Sequence, residues 1–132
     1  MNRILLFFFF CVAASGQDDF FEKRVRPILA SRCQSCHSGK SPKAGLDLSS
    51  AAGLRRGADT GPVVIAGDEA KSRLLQVTGY QERLKMPPTG RIGDAEFAVL
   101  REWVKLGAPW PSTSAPVISE TRTKSYTRAQ RE

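Results

Sequence analysis

The chain has 132 residues, enough for one domain and too few for two of ordinary size. Apolar residues make up 41% and charged residues 25%, the balance of a globular rather than a disordered chain, and no apolar run reaches the roughly 18 residues of a membrane span. The net charge of +7 raises nucleic acid or an anionic surface as a partner, while the single histidine excludes any site that needs two.

Residues 1–16 read as a secretory signal. Arg3 supplies the positive start, Ile4 to Ala14 form an 11-residue apolar stretch, and Ala14 and Gly16 suit the positions before a cleavage site, leaving Gln17 as the new terminus. An uncleaved anchor is the alternative, and the stretch is too short for it. The expected product is exported and periplasmic, with no stable membrane insertion after cleavage. Cys11 leaves with the signal, so the odd cysteine count becomes a pair, Cys33 and Cys36, accompanied by one histidine, His37, and one methionine, Met86.

Residues 17–111 form the predicted folded body, and residues 112–132, rich in Ser, Thr and Arg, a flexible tail or interdomain linker. Asp18 and Asp19 open a first helix whose apolar stripe is Phe21, Val25, Ile28 and Leu29, with an interruption expected at Pro27. A turn-rich stretch follows, with a short helix at Ser50 to Arg56. Asp68 is the expected N-cap of a helix over Glu69 to Val77, closed by Gly79. The last helix starts after Gly93, with Glu96 at N3, and buries Phe97, Leu100 and Val104, extended by Trp103 and Leu106 before Gly107 and Pro109 end it. Val63 to Ala66 is the one strand-like run. The body is thus all-α, with short helices and long loops, and is poor in large apolar groups. Such a domain is marginal on surface-to-volume grounds, which suggests that something besides side chains fills its centre.

The segment Cys33-Gln34-Ser35-Cys36-His37 is C-x-x-C-H, the attachment motif of c-type haem. Two thiols three residues apart lie on one side of a helical turn and can reach the two vinyl groups of one porphyrin, with the next imidazole placed over its iron. Three rivals use the same residues. A dithiol redox site expects a strand before the helix and a βαβ pattern, neither of which is visible. A structural zinc site needs a fourth ligand. A disulfide across two residues is strained. One covalent haem c is the reading that uses all three residues, with His37 as the proximal iron ligand. By elimination Met86 is the candidate distal ligand, presented by a loop that Pro87 and Pro88 stiffen; a lysine, a water or an open position are the alternatives.

The run from Phe20 to Pro111 resembles the planctomycete-type cytochrome c domain. The matching pieces include Val25-Arg26-Pro27-Ile28-Leu29, Cys33 to His37, Gly45-Leu46-Asp47-Leu48, Gly67-Asp68, Lys85-Met86-Pro87-Pro88 and Gly107-Ala108-Pro109-Trp110-Pro111. The resemblance implies a small class I-like cytochrome c fold wrapped around one covalent haem, with Cys33 and Cys36 as its anchors and His37 and Met86 as its axial ligands. Domains of this family commonly precede much larger ones, so attachment to further domains is an expectation too. By analogy with the Gly-Pro turn of related cytochromes, the Pro62 carbonyl is a candidate acceptor for the His37 Nδ1–H, an ordinary loop turn being the alternative. Arg91 is a candidate partner of a haem propionate, or else a solvated surface arginine.

The function expected from these residues is electron transfer, without enzymatic turnover. The alternative is a haem-binding sensor or regulatory module of a larger exported protein. The basic groups Lys23, Arg24 and Arg26, and Arg55 with Arg56, are either a solvated face or a steering surface for an acidic redox partner. No aromatic residues interleave with them as nucleic-acid stacking would require, so no nucleic-acid partner is expected.

Overall fold

The structure is a computed structural model and describes residues 14–111. The signal assigned to residues 1–16 falls, but for its last three residues, outside the described residues, and so does the whole of the 112–132 tail. Among the described residues the fold is helical and holds no strand, in line with the all-α expectation.

Helix α1 (Ala14–Phe20) continues through a π-helical turn at Phe21–Val25 into α2 (Arg26–Arg32). The junction has its cause in the sequence. Pro27 has no N–H to donate, and the preceding turn widens so that the Arg26 N–H reaches the Phe21 carbonyl, five residues back. The interruption expected at Pro27 is therefore a π turn within one continuous helical run. It keeps Phe21, Val25, Ile28 and Leu29 on the buried side. The opposite face is laced by i,i+4 ion pairs, Lys23 to Asp19 at 2.9 Å and Arg26 to Glu22 at 2.6 Å.

A 3-10 turn at Lys43–Gly45 leads to α3 (Ala51–Arg56), whose first turn is capped by the Ser50 hydroxyl accepting from the Gly53 N–H at 3.0 Å. Gly53 is needed for contact rather than conformation: a Cβ there would lie 2.3 Å from the Asp47 carbonyl oxygen. Helix α4 is shorter than expected, Arg73–Thr78. Asp68 does not cap it. Its carboxylate accepts from the Lys71 N–H at 3.0 Å, and the buried Ser72 hydroxyl donates to the Asp68 carbonyl at 2.7 Å and accepts from the Ile65 N–H at 2.9 Å. These local side-chain bonds hold residues 68–72 in turns and delay the helix by four residues. Gly79 keeps a right-handed φ of −76°, and Tyr80 takes the left-handed conformation instead, at φ +59°. Val63 to Ala66 is a loop that bends at Val63 and turns at Ala66, not a strand; its Val63 carbonyl is taken by the Leu74 N–H at 2.8 Å.

Helix α5 (Asp94–Lys105) starts where expected. Gly93 has no side chain to cap with, so only the return half of a capping box forms, the Gly93 N–H donating to Glu96 Oε2 at 3.1 Å. Val99, Leu100, Trp103 and Val104 are buried, Phe97 is half-buried, and Leu106 is 41% exposed, outside the predicted apolar face. The helix has already ended at Lys105. Gly107, at φ +95°, donates to the Val104 carbonyl, and Ala108 donates to that of Trp103, reversing the chain.

This reversal lays Trp110 on the first helical run. Phe21 and Trp110 ring centroids are 4.6 Å apart, Phe21 and Trp103 5.9 Å, and Trp103 and Trp110 6.4 Å. The Trp103 indole N–H donates to the Pro109 carbonyl at 2.9 Å, and the Arg26 guanidinium lies over both Phe21 and Trp110. The two chain-terminal elements thus make one well-packed end. Residues 33–48, 58–63 and 80–92 are left to shape the other.

Candidate cofactor cleft

That other end holds a cavity of about 350 Å³, within the usual range for a small-molecule or cofactor site. Most of its wall is apolar, with Ile28, Leu46, Leu48, Leu74, Val77 and Leu100 among its lining residues. Cys33, Cys36, His37 and Met86 line it as well, so the structure collects in one cleft four residues that the sequence spreads over more than fifty positions.

The C-x-x-C-H segment is a turn that continues from α2. The Cys33 and Gln34 N–H groups both donate to the Leu29 carbonyl, and the His37 N–H closes one further helical turn on the Cys33 carbonyl at 3.0 Å. This turn brings both sulfurs and the imidazole to the cavity side. The following loop folds back over it: Lys43 N–H donates to Cys36 O, Leu48 N–H to His37 O, and the Gln34 amide to Leu48 O at 3.1 Å.

His37 is oriented by the Lys43 carbonyl, 3.0 Å from Nδ1. A carbonyl can only accept, so Nδ1 carries a proton there, and Nε2 is the nitrogen that the neutral imidazole offers to a metal. Pro62, the expected acceptor, does not fill this role. It is exposed and does not line the cleft, and the Lys43 carbonyl of the 43–45 turn stands at Nδ1 in its place. The second expected outlier is Arg91. It pairs with Asp94 at 2.8 Å, lies over the Phe97 ring and does not line the cavity.

Met86 is held from three sides. Its N–H donates to the Val77 carbonyl at the end of α4 at 3.0 Å, the Tyr80 hydroxyl donates to the Pro87 carbonyl, and the Gly90 N–H donates to the same carbonyl at 3.3 Å. The left-handed turn at Tyr80 aims its ring at this loop. Tyr80 and the Lys43 carbonyl are the two supporting groups that sequence reasoning missed. A lone tyrosine directly after a helix-ending glycine was a readable signal. A backbone carbonyl leaves none.

The chemistry of the donor set fits a haem. Cys33 and Cys36 are free thiols in the described structure. Burial, aided by the Glu96 carboxylate, pushes the Cys33 thiol up to about 11. A dithiol redox site needs the opposite, a thiol acidic enough to attack as thiolate near neutral pH, so the arrangement speaks for a bonded sulfur rather than a reactive one. Among the described residues no group of three or more His, Cys, Asp and Glu side chains is arranged to hold a metal ion. Two thiols, an imidazole with a free Nε2 and a thioether, in a mostly apolar cavity, are what a covalently attached porphyrin uses.

Residues 33–90 match the family model described as Planctomycete cytochrome C. No curated protein and no solved structure matches the chain. The matched segment begins at Cys33 and ends four residues after Met86, so it spans the cleft's four chemical residues and leaves out the aromatic end. Among the described residues no helix is long and apolar enough to cross a membrane.

Proposed function

We propose, from the premise that residues 33–90 are a cytochrome c domain of the planctomycete family, that this chain is an exported, periplasmic electron-transfer protein with a class I-like cytochrome c fold. In this reading one haem c is held by thioethers to Cys33 and Cys36, with His37 as proximal and Met86 as distal ligand. The observation that carries it is the convergence of those four residues on one apolar cavity, with the His37 Nδ1 proton already committed to the Lys43 carbonyl.

The haem supplies one-electron chemistry when bound. The chain's own residues set the conditions for it. The Lys43 carbonyl fixes the imidazole tautomer. Val77 and Tyr80 tie down the Met86 loop, which keeps a soft thioether in place; such a ligand favours ferrous iron and raises the potential. The apolar wall excludes water and strengthens that preference. Were His37 and Met86 both to hold the iron, no coordination site would be left for a substrate, which is why electron transfer without enzymatic turnover is the reading. The partner in this reading is a redox protein with an acidic surface, and the steering groups are Lys23, Arg24 and Arg26, or Arg55 and Arg56.

The test is the chain expressed in a host that matures c-type cytochromes in its periplasm. Covalent haem is expected by mass, and the reduced protein should bind carbon monoxide slowly or not at all at neutral pH. Rapid carbon monoxide binding would show that Met86 does not hold the sixth position. Absence of covalent haem would sink the reading altogether.

A further inference from the structure

Every charged side chain that lines the cleft is a cation. Arg32, Lys43 and Arg73 contribute to its wall, and no Asp or Glu of the described residues does. A mostly apolar cleft whose charged lining residues are all exposed cations suits an occupant with an apolar body and an anionic, solvent-facing edge. The three cations are not equivalent. Arg32 Nε is bonded to the Glu96 carboxylate at 3.1 Å, so its charge is already answered from α5. Lys43 and Arg73 make no ion pair among the described residues. They come from different segments of the wall, the 43–45 turn and the first position of α4.

We propose that Arg73 and Lys43 form the anion-holding end of the cleft, each taking one of the two haem carboxylates. This rests on the haem reading above and assigns the role once expected of Arg91 to two other side chains. Two cations whose charge is unanswered meet two carboxylates, and the third cation serves to join α2 to α5. Lys43 then acts on the haem twice: its carbonyl orients the proximal imidazole and its ammonium meets a carboxylate. Arg73 can engage its carboxylate through two parallel N–H donors, a geometry that lysine lacks.

The experiment measures the midpoint potential of the haem-loaded protein by spectroelectrochemistry. Ferric iron carries one more positive charge than ferrous, so removing a nearby cation favours the ferric form. Arg73→Gln and Lys43→Gln should each lower the ferrous-to-ferric ratio at a fixed applied potential on the order of fivefold. Lys43→Gln keeps the backbone carbonyl, and with it the His37 bond. Arg91→Gln removes the same charge outside the cleft and should change the ratio less than about twofold. Arg73→Lys, which keeps the charge, should stay within about twofold of the unaltered chain. Shifts in the two cleft variants no larger than that of Arg91→Gln overturn this assignment and leave the haem reading standing, as does an Arg73→Lys shift as large as that of Arg73→Gln. Failure of the unaltered chain to acquire haem overturns the reading first and the assignment with it.

Discussion

The two ends of this small protein are built on opposite principles. At one, Phe21, Trp103 and Trp110 pack ring against ring between the first helical run and the segment after α5, with fully buried neighbours and every buried side-chain donor of the described residues satisfied. At the other, turns and loops surround a mostly apolar cavity of about 350 Å³. The first end is stabilised by what the chain carries. The second presents a mostly apolar wall, against which the proposed haem would pack. Residues 33–90, the part matched by the family, coincide with the second end. A cofactor-binding segment is thus clamped between two helical elements that supply the bulk of the rigid core.

Perturbing each end should separate their roles. Trp103→Ala should have the largest effect on stability, about 3–5 kcal/mol, because it removes a fully buried ring and opens a cavity where neighbours cannot collapse. Chemical denaturation of the haem-loaded protein measures it, and a loss below 1 kcal/mol would contradict the division drawn here. Met86→Ala should cost less stability than Trp103→Ala, since Met86 is only half-buried, yet it should change the iron chemistry more than any core substitution. Carbon monoxide should then bind the reduced protein readily, and peroxidase activity should rise. Unchanged carbon monoxide binding would remove Met86 from the axial position.

The smallest effect sharpens the seam between the two ends. Glu96 on α5 is hydrogen-bonded to Arg32 at the cleft side of α2, and that bond holds its carboxyl below the usual carboxylate range, with the Gly93 N–H assisting. A lowered folded value means that the contribution is complete above the ordinary carboxylate range and is lost as the pH falls through it and below. Glu96→Gln should therefore lower the thermal midpoint slightly at neutral pH, by well under 1 kcal/mol for so exposed a pair, and the difference from the unaltered chain should vanish in acid. A difference that grows on acidification would contradict the sign.

Much of this was legible before any coordinates. The stripe Phe21, Val25, Ile28 and Leu29 announced the buried face of the first run through its helical period, and all four are buried. The short helix capped by Ser50 and the start of α5 at Gly93 were readable because caps act within three residues. What failed had competing local chemistry or depended on chain reversal. Ser72 and Asp68 hold the chain in turns ahead of α4, against a helical pattern that began at Glu69. Leu106 continued the apolar pattern of α5 on paper, but the helix ends one residue earlier and turns it to solvent. Pro62 was assigned by analogy with a Gly-Pro turn and Arg91 by its place after the Met86 loop, and neither says which loop folds over an imidazole or which cation lines a cavity.

The sequence by itself determined the chemistry, because two thiols, one imidazole and one thioether left only a few ways to use them, and C-x-x-C-H needs nothing beyond one helical turn to present its groups together. Only the tertiary structure decided how that chemistry is supported. The carbonyl that orients His37, the tyrosine that ties down the Met86 loop and the two cations that line the cleft without an ion pair among the described residues all depend on which distant segments meet. Local patterns encode turns and helix faces, whereas contacts between loops follow from the packing of the whole chain around its cavity.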